Sequence, residues 1–341
     1  MSDYSKIMDK AWVNQNSISK FKDLECVIFD CDGTLVDINK SYNACIKHSV
    51  GFILERMIGG KQWYNLVTDE IIMKFRMSGG FNNDTDTTYA SILSAIASKT
   101  HDMEQVRKFV SNVATQADER GLESVEEYLS EVGFTKVVKR VKGELGHAGI
   151  GSSSLPGKVF DEFFYGKELF VKIYGKEPVF NYSEGFLEKD KVLISSESAC
   201  QISHMFNGNI AIVSGRSRFA TEYTLKSILQ YFNLDASVFI EDEEKKVKNN
   251  RSQVKKPSPY SLLKSIKAFD VKNALCAGDS VEDIIMARKA SENQNIKTVI
   301  CGVYGSVADR DLQFKVFMNR NVDAILENVN ILPSFLTMFE D

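Results

Sequence analysis

Two aspartates, Asp30 and Asp32, stand directly after a short apolar run in the string Asp-Cys-Asp-Gly-Thr. In an extended chain, residues two apart point the same way, so both carboxylates can face one site. Two such carboxylates repel each other, and a divalent cation relieves the repulsion. Hard oxygen ligands suit Mg²⁺, which binds through one or two carboxylates plus a phosphate. An ordinary Asp-Gly turn after a strand is the alternative that this string alone leaves open.

A second acidic string, Gly-Asp-Ser-Val-Glu-Asp, occupies residues 278–283. Ser280 followed three residues later by Asp283 resembles a capping box, which favours a helix start at this point. The four-residue spacing of Asp279 and Asp283 also places both within one helical turn, where they can face a metal. Capping and metal binding are compatible, and this string alone does not choose between them.

A hydroxyl and an ammonium group complete the set of candidate chemical groups. Ser214 ends an apolar run, and Lys256 precedes Pro-Ser-Pro. We expect Ser258 to cap a helix that begins at Pro259, which leaves Lys256 without a structural task. Near a carboxylate pair, a hydroxyl and an ammonium can donate to phosphoryl oxygens and neutralise developing charge.

These polar residues follow strand-length apolar runs, which must position them. Continuous apolar runs without alternation are typical of strands buried on both faces of a parallel sheet. Helical spacing between the later runs then predicts an α/β fold with a doubly wound parallel sheet. Ligands bind at the carboxyl ends of such strands, where the polar residues fall. The predicted strands are residues 25–29, 210–213, 236–240, 274–277 and 298–301.

The stretch 38–182 differs, since it contains long helical patterns and few strand-like runs. We therefore expect a large, mostly helical insertion after the first strand. The chain would then consist of an N-terminal extension (1–22), an α/β core (23–37 and 183–341) and the insertion (38–182). The helical patterns cover residues 42–58, 68–76, 85–99, 103–119 and 125–132.

Two glycine-containing strings interrupt the insertion. Residues 143–157 are rich in glycine and serine and are predicted to be a loop; its tail is not a phosphate-binding P-loop, because Val159 stands where Ser or Thr should be. In the second string, residues 76–84, Asp84 or Thr85 is expected to cap the next helix. Side chains of this string are also candidates for contact with a polar leaving group: Arg76, Asn82, Asn83 and Asp84.

Composition excludes several classes of protein. The chain has 341 residues, 43% hydrophobic and 26% charged, with a net charge of −4. These values are typical of a well-packed globular protein, and no positive excess indicates nucleic acid or an anionic membrane as a partner. No apolar stretch has the length to span a bilayer, and the start lacks a signal-peptide pattern, so we expect a cytoplasmic protein. The six scattered cysteines are expected to be free thiols, and the four histidines show no metal-ligand spacing.

The order of the four motifs resembles that of the haloacid dehalogenase (HAD) superfamily of hydrolases. The motifs are Asp-x-Asp-Gly-Thr, a serine at a strand end, Lys-Pro-x-Pro and Gly-Asp-x-x-x-Asp, and together they cover residues 24–37 and 183–341. Their forms are similar to the branch that includes phosphoglycolate phosphatases and β-phosphoglucomutase. The resemblance implies a HAD-type Rossmann-like core with a helical cap of the C1 type, inserted where the helical stretch begins.

The resemblance also implies roles for the matching residues. Asp30 would be the nucleophile that forms an aspartyl-phosphate, and Asp32 would be the general acid and then the general base. Mg²⁺ would be held by Asp30, the Asp32 backbone carbonyl, Asp279 and Asp283. Arg216 would be a further candidate for contact with an anionic substrate. The phosphoryl group would be bound by Thr34, Ser214, Gly215 and Lys256.

The implied activity is Mg²⁺-dependent hydrolysis of a small phosphorylated metabolite, a sugar phosphate or a phospho-organic acid. Asp32 disfavours dehalogenation, since a halide leaves without a proton. Phosphomutase chemistry on the same core stays open, as does phosphonate hydrolysis. A non-catalytic phosphate-sensing or partner-binding module is the alternative of another class, and monomer and homodimer are both open. Phosphonate hydrolysis would need a Schiff-base lysine in the cap, for which the candidates are Lys40, Lys47, Lys61 and Lys74.

Overall fold

The structure is a computed structural model, and it describes residues 3–81, 83–146, 154–246, 253–292, 295–307 and 309–339. Contacts divide the chain into two compact units. The core unit comprises Met1–Asp37 and Lys191–Asp341, and the helical unit comprises Ile38–Asp190. The domain limits expected from the sequence stay a prediction.

One sheet of eight strands, counted over the described residues, organises the core unit. Its spatial order is β1-β2-β10-β9-β8-β3-β6-β7. A separate two-stranded pair joins β4 to β5. The strands are β1 (Tyr4–Met8), β2 (Ala11–Asn14), β3 (Cys26–Phe29), β4 (Val36–Asp37), β5 (Lys191–Val192), β6 (Ile210–Ser214), β7 (Val238–Phe239), β8 (Asn273–Gly278), β9 (Lys297–Val303) and β10 (Ala324–Leu326).

Strand β3 lies between two parallel neighbours that come much later in the chain. Phe29 is paired with Ile212 of β6 on one side and with Ala277 of β8 on the other. The chain order reverses direction around β3, which makes its carboxyl end a topological switch point where α/β proteins bind ligands. The register therefore brings the ends of β3, β6 and β8 to one edge of the sheet.

Helices pack against this sheet and complete its core. Leu262 and Ile266 of α11, with Ile284 and Ala287 of α12, belong to the same buried cluster as Ile28 of β3. The buried face of each helix recurs at three- and four-residue spacing, as expected for an amphipathic helix against a sheet. The core-unit helices are α8 (Ser196–Met205), α9 (Arg218–Leu225), α10 (Ile240–Lys246), α11 (Tyr260–Phe269), α12 (Val281–Ser291), α13 (Arg310–Asn319) and α14 (Leu332–Leu336).

The predicted α/β sheet is confirmed, with changes at its ends. The runs at 25–29, 210–213 and 274–277 form β3, β6 and β8, and the run at 298–301 is part of the longer β9. The run at 236–240 yields only β7, because Ile240 already begins α10. The sequence did not indicate the antiparallel hairpin β1–β2, whose second strand pairs with β10.

The helical unit is built from seven α-helices in its described part, and its long helical patterns are confirmed. α3 is buried along almost its whole length, so it is the centre of this unit. Short turns of other helix types lie at Gln62–Asn65, Ser130–Phe134 and Phe186–Lys189. The helices are α1 (Tyr42–Ile58), α2 (Asp69–Met77), α3 (Asp84–Ala97), α4 (Met103–Gln116), α5 (Leu122–Leu129), α6 (Thr135–Leu145) and α7 (Leu155–Tyr174).

Three local predictions were wrong. The loop expected at 143–157 is shorter, because α6 continues to Leu145 and α7 begins at Leu155; residues 147–153 lie outside the described part. Ser154 caps α7 by accepting a hydrogen bond from the Gly157 amide at 3.1 Å. Asn83, not Asp84 or Thr85, is the N-cap of α3.

The third correction concerns α11, which begins one residue later than expected. Its N-cap position is Pro259 rather than Ser258, although the Ser258 hydroxyl still accepts a bond from the Tyr260 amide at 3.3 Å. All six cysteines are free thiols, as expected, and only Cys200 is exposed. Within the described ranges, no helix has both the length and the apolar character that crossing a membrane requires.

Candidate active site

Asp30 leaves the sheet at the carboxyl end of β3 and is anchored by its backbone. Its amide donates to the Ala277 carbonyl at 2.8 Å, which continues the pairing of β3 with β8. The next residues form a tight turn, in which the Gly33 amide donates to the Val36 carbonyl at 2.8 Å. Asp32 lies in this turn, so the two carboxylates predicted to act together emerge from one short, hydrogen-bonded segment.

Asp283 caps a helix and also faces the site. Ser280 Oγ accepts from the Asp283 amide at 3.2 Å, and Asp283 Oδ2 accepts from the Ser280 amide at 3.2 Å, so the predicted capping box is present. The other carboxylate oxygen, Oδ1, accepts a bond from Lys256 Nζ at 2.7 Å. The two interpretations of this string are therefore compatible, because capping uses one oxygen and leaves the second for the site.

Lys256 lies between two carboxylates. Its Nζ is 2.7 Å from Asp30 Oδ1 and 2.7 Å from Asp283 Oδ1, and its side chain is 1% exposed. A buried ammonium is stable only where acceptors surround it, and these two oxygens supply them. The structure thus brings together three of the charged residues that the sequence singled out.

The acidic groups fit a metal ion. Carboxylate oxygens of Asp30, Asp279 and Asp283 all lie within 4.8 Å of one another. Oxygen donors of this type suit Mg²⁺ or Ca²⁺ and do not suit the softer metals that prefer thiolate. These three residues could therefore hold a hard divalent cation.

The charges of the site also favour a cation. Burial raises the pKa of Asp30 to about 7; Lys256 lowers it, but the charges of Asp283 and Asp32 add to the increase. Burial alone would lower the pKa of Lys256, yet attraction to Asp283 and Asp30 raises it. Lys256 therefore stays charged, and further positive charge at the site would favour the ionised form of Asp30.

Glycine is required at the turn after Asp30. Gly33 has φ = +76°, and a Cβ atom there would come 1.9 Å from Asp279 Oδ2. At Gly278, a Cβ would lie 2.4 Å from Asp283 Oδ2. Both glycines leave space for the carboxylates to approach the end of β3, since any side chain would displace them.

The predicted phosphate-binding residues lie on two of these strand ends. Ser214 is the last residue of β6, and its Oγ accepts from the Arg216 amide at 3.2 Å, which leaves the hydroxyl proton available for donation. Gly215 follows in the same turn. Thr34 is 1% exposed, and its Oγ1 has no hydrogen-bond partner among the described residues.

Arg216, a candidate for contact with an anionic substrate, is buried, and its role in substrate contact stays a prediction. Its side chain is 0% exposed, and Nη1 donates to Asp32 Oδ1 at 2.9 Å. Nη2 donates to Thr224 Oγ1 at 2.7 Å and to the Ala220 carbonyl at 3.2 Å. The contact with Asp32 was not indicated by the sequence.

Three of the four substrate-contact residues predicted in the helical unit are described, and two of them, Arg76 and Asp84, form an ion pair. Arg76 Nη2 donates to Asp84 Oδ1 at 3.0 Å, and the Asn83 side chain accepts from the Thr85 amide at 2.9 Å. Asn82 lies outside the described residues. A role for this string in substrate contact stays a prediction.

Sequence reasoning missed two side chains that contact the site, one from the segment after β9 and one from α13. Gln313 Nε2 donates to the Asp279 carbonyl at 2.7 Å, and Ser306 Oγ donates to the Gly33 carbonyl. Neither residue belongs to a recognisable motif. Ser306 could have been identified only from its position in the chain, since it follows β9, the parallel neighbour of β8.

Comparison with known proteins agrees with the resemblance seen in the motifs. The haloacid dehalogenase-like hydrolase family model matches residues 24–291, whereas no curated protein matches the sequence. A structure from the Northeast Structural Genomics Consortium is 16% identical (TM-score 0.58) and covers 92% of this chain and 98% of its own. The phosphatase Tt82 from Thermococcus thioreducens is 19% identical (TM-score 0.53) and covers 86% and 98%. These two likenesses show the fold, and the family match over most of the chain shows that this protein belongs to the haloacid dehalogenase-like hydrolases.

Proposed function

We propose that this hydrolase is a Mg²⁺-dependent phosphatase that acts on a small phosphorylated metabolite through an aspartyl-phosphate. The observation that carries the proposal is the buried ion pair of Lys256 with Asp30, beside Asp279 and Asp283. It supplies a carboxylate nucleophile, a cation for phosphoryl oxygens and a metal site at one strand edge.

The placement of Asp30 favours catalysis over simple phosphate binding. A phosphate-sensing module needs donors, and a buried carboxylate at the same point repels phosphate and raises the cost of folding. The pKa of Asp30, raised by burial to about 7, reflects that cost. A nucleophile that must approach phosphorus explains why a carboxylate occupies this position.

The metal would be held by the carboxylates of Asp30, Asp279 and Asp283, with the Asp32 carbonyl as a further ligand. When bound, Mg²⁺ supplies positive charge that keeps Asp30 ionised and neutralises phosphoryl oxygens. Four carboxylates, those of Asp30, Asp32, Asp279 and Asp283, stand against the positive charges of Lys256 and Arg216. A divalent cation would balance this set.

In the first half-reaction, Asp30 attacks the phosphorus atom. A bond forms between its carboxylate oxygen and phosphorus while the bond from phosphorus to the alcohol oxygen breaks, and Asp32 gives that oxygen a proton. Donors from the strand ends hold the transferring group, which is mainly an electrostatic task. These donors are the hydroxyls of Thr34 and Ser214, the Gly215 amide and the Lys256 ammonium.

In the second half-reaction, Asp32 acts as the base. It takes a proton from a water molecule, whose oxygen bonds to phosphorus while the bond between phosphorus and Asp30 breaks. Phosphate leaves, and both aspartates return to their initial states. The net reaction consumes a phosphate monoester and water and yields an alcohol and phosphate.

A sugar phosphate or a phospho-organic acid is the proposed substrate class. Phosphonate hydrolysis is less favoured, because a Schiff-base lysine is usually desolvated. Of the candidates, Lys47 and Lys74 form ion pairs with Asp69 and Glu70, and Lys40 and Lys61 are exposed. A phosphomutase would use the same core chemistry, so the two activities are distinguished by the product that is formed.

The direct test measures phosphate release from p-nitrophenyl phosphate with Mg²⁺ and with a chelator. Metal-dependent release supports the proposal, and its absence favours the binding module. A panel of sugar phosphates, glycolate and glycerate phosphates and nucleotides then ranks substrates by kcat/KM. If the protein instead isomerises a substrate in a reaction that depends on a bisphosphate, without net phosphate release, its reaction is that of a phosphomutase and not hydrolysis.

A further inference from the structure

Asp32 and Arg216 form an ion pair that no motif of the chain predicted. Arg216 Nη1 lies 2.9 Å from Asp32 Oδ1; the arginine side chain is 0% exposed, whereas that of Asp32 is 21% exposed. The carboxylate therefore has one part in contact with a buried, permanently charged group and another part accessible. This arrangement differs from a surface ion pair, in which both partners are mobile and solvated.

The backbone alone does not orient Asp32. The turn from Cys31 to Val36 is closed by hydrogen bonds from the amides of Gly33 and Leu35, both at 2.8 Å. These bonds fix where the Cα of Asp32 lies, but they leave its side-chain torsions free. A group that transfers a proton must be within hydrogen-bond reach of the reacting oxygen, so its torsions must be restricted by another contact.

Arg216 can restrict them because it is itself held in place. Its Nη2 donates to Thr224 Oγ1 at 2.7 Å and to the Ala220 carbonyl at 3.2 Å, both on α9. Its amide donates to Ser214 Oγ at 3.2 Å. The planar guanidinium is thus anchored on one side by a helix, and it presents its other side to Asp32.

We propose that Arg216 is a positioning residue that orients Asp32 for proton transfer to the leaving group and that does not bind substrate itself. This inference rests on the proposed phosphatase function. It predicts that replacing Arg216 lowers kcat/KM most for those substrates whose leaving group most needs a proton.

The test compares kcat/KM for phosphate esters of increasing leaving-group pKa, from 2,4-dinitrophenyl through p-nitrophenyl to alkyl phosphate. For Arg216→Gln we expect a loss of about 10- to 100-fold on the alkyl ester, and less than about 3-fold on the dinitrophenyl ester, whose alcohol leaves without a proton. Asp32→Asn should show the same selectivity with a larger loss. The double variant should be no worse than Asp32→Asn, because both act on one step.

Arg218→Gln is the matched control. Arg218 begins α9 and forms an exposed ion pair with Glu222. Its replacement should therefore leave kcat/KM unchanged for all three esters. Thr224→Val removes an anchor of the guanidinium but keeps Arg216, and it should cause a smaller loss of the same selectivity. This variant decides the question if Arg216→Gln does not fold.

Equal losses on all esters, or additive losses in the double variant, would show that Arg216 has only a structural role. If the wild-type protein hydrolyses none of the esters with Mg²⁺, the proposed function itself is wrong and the inference falls with it. If Asp32→Asn is selective while Arg216→Gln and Thr224→Val are not, the phosphatase mechanism stands and the positioning role alone is overturned.

Discussion

Lys256 Nζ lies 2.7 Å from Asp30 Oδ1 although 226 positions separate the two residues in the chain. Asp30 follows β3, and Lys256 lies in the segment before α11, so the pair forms only when both segments reach the same end of the sheet. The ammonium also contacts Asp283, which joins three parts of the chain through one buried charge. Disruption of this group should therefore affect folding and turnover together, whereas replacement of Asp30, the proposed nucleophile, should abolish turnover and leave the fold intact.

Asp30→Asn should abolish turnover and keep the fold. The amide cannot form the aspartyl-phosphate, and loss of a nucleophile lowers kcat by on the order of 10⁴-fold or more. Since burial raises the pKa of Asp30 to about 7, its charged form is unfavourable in the metal-free protein, so the Tm at pH 8 should be unchanged or higher. Phosphate release and thermal unfolding test the two expectations. The control is Asp9→Asn, at an exposed ion pair with Lys6, which should change neither phosphate release nor the Tm. Retained turnover in Asp30→Asn would show that Asp30 is not the nucleophile.

Mg²⁺ should stabilise the protein more at pH 8 than at pH 5.5. The pKa of Asp30 is about 7 in the folded, metal-free protein, above its ordinary value of 3.8. The folded state thus keeps a proton that the unfolded chain has lost, and this contribution to stability disappears as the pH rises through about 7. A cation replaces the proton, so the increase in Tm caused by Mg²⁺ should grow over this range. Asp279→Asn should suppress that increase, and an increase that is independent of pH would contradict the assignment of Asp30 as a ligand.

Lys256→Met should be strongly destabilising. Removal of one partner of a buried ion pair leaves uncompensated charge and costs about 3–5 kcal/mol. The cost should be lower at pH 5.5, where Asp30 is protonated, and should be measured by urea denaturation at both pH values. Lys267→Met is the matched control, because Lys267 is an exposed lysine in the last turn of α11. A larger loss of turnover in Lys255→Met than in Lys256→Met would show that the adjacent lysine had been assigned wrongly.

Gly33→Ala and Gly59→Ala compare two glycines that have nearly the same φ angle. Gly33 has φ = +76° and Gly59 has φ = +77°, but only at Gly33 does an added Cβ meet another group, Asp279 Oδ2 at 1.9 Å. Gly59→Ala should cost about 1–3 kcal/mol of backbone strain, because Gly59 has φ = 77° and ψ = 167°, a combination that is essentially restricted to glycine. Gly33→Ala should lose more stability and should also weaken Mg²⁺ binding, measured by calorimetry. Equal effects of the two variants would mean that Asp279 does not depend on the space at Gly33.

Gln313→Leu should weaken Mg²⁺ binding without loss of the fold. Gln313 Nε2 donates to the Asp279 carbonyl at 2.7 Å, and partners that orient metal ligands typically contribute 10- to 100-fold in affinity. The dissociation constant for Mg²⁺ should therefore rise by at least about 10-fold. Gln116→Leu, at the exposed end of α4, is the control. An unchanged Mg²⁺ affinity in Gln313→Leu would show that Asp279 is held by its own strand end alone.

Features that depend on near neighbours in the chain could be predicted from the sequence. The capping box of Ser280 and Asp283 involves residues three apart, and β3 is a continuous apolar run, so each leaves a local pattern. The resemblance of the four motifs identified the family for a related reason, since each motif is a short local string. The hairpin β1–β2 has no such pattern, because its second strand is stabilised by β10, more than 300 positions away.

The sequence by itself determined which groups are available: the carboxylates of Asp30 and Asp279, the strands that precede these two residues, and the Lys256 ammonium. Only the tertiary structure decided which of these groups touch, and it assigned Arg216 to Asp32 and Gln313 to the Asp279 carbonyl. The physical reason is that side-chain type and local spacing are properties of a few adjacent residues. Distances between strand ends depend instead on the register of a sheet that is assembled from the whole chain.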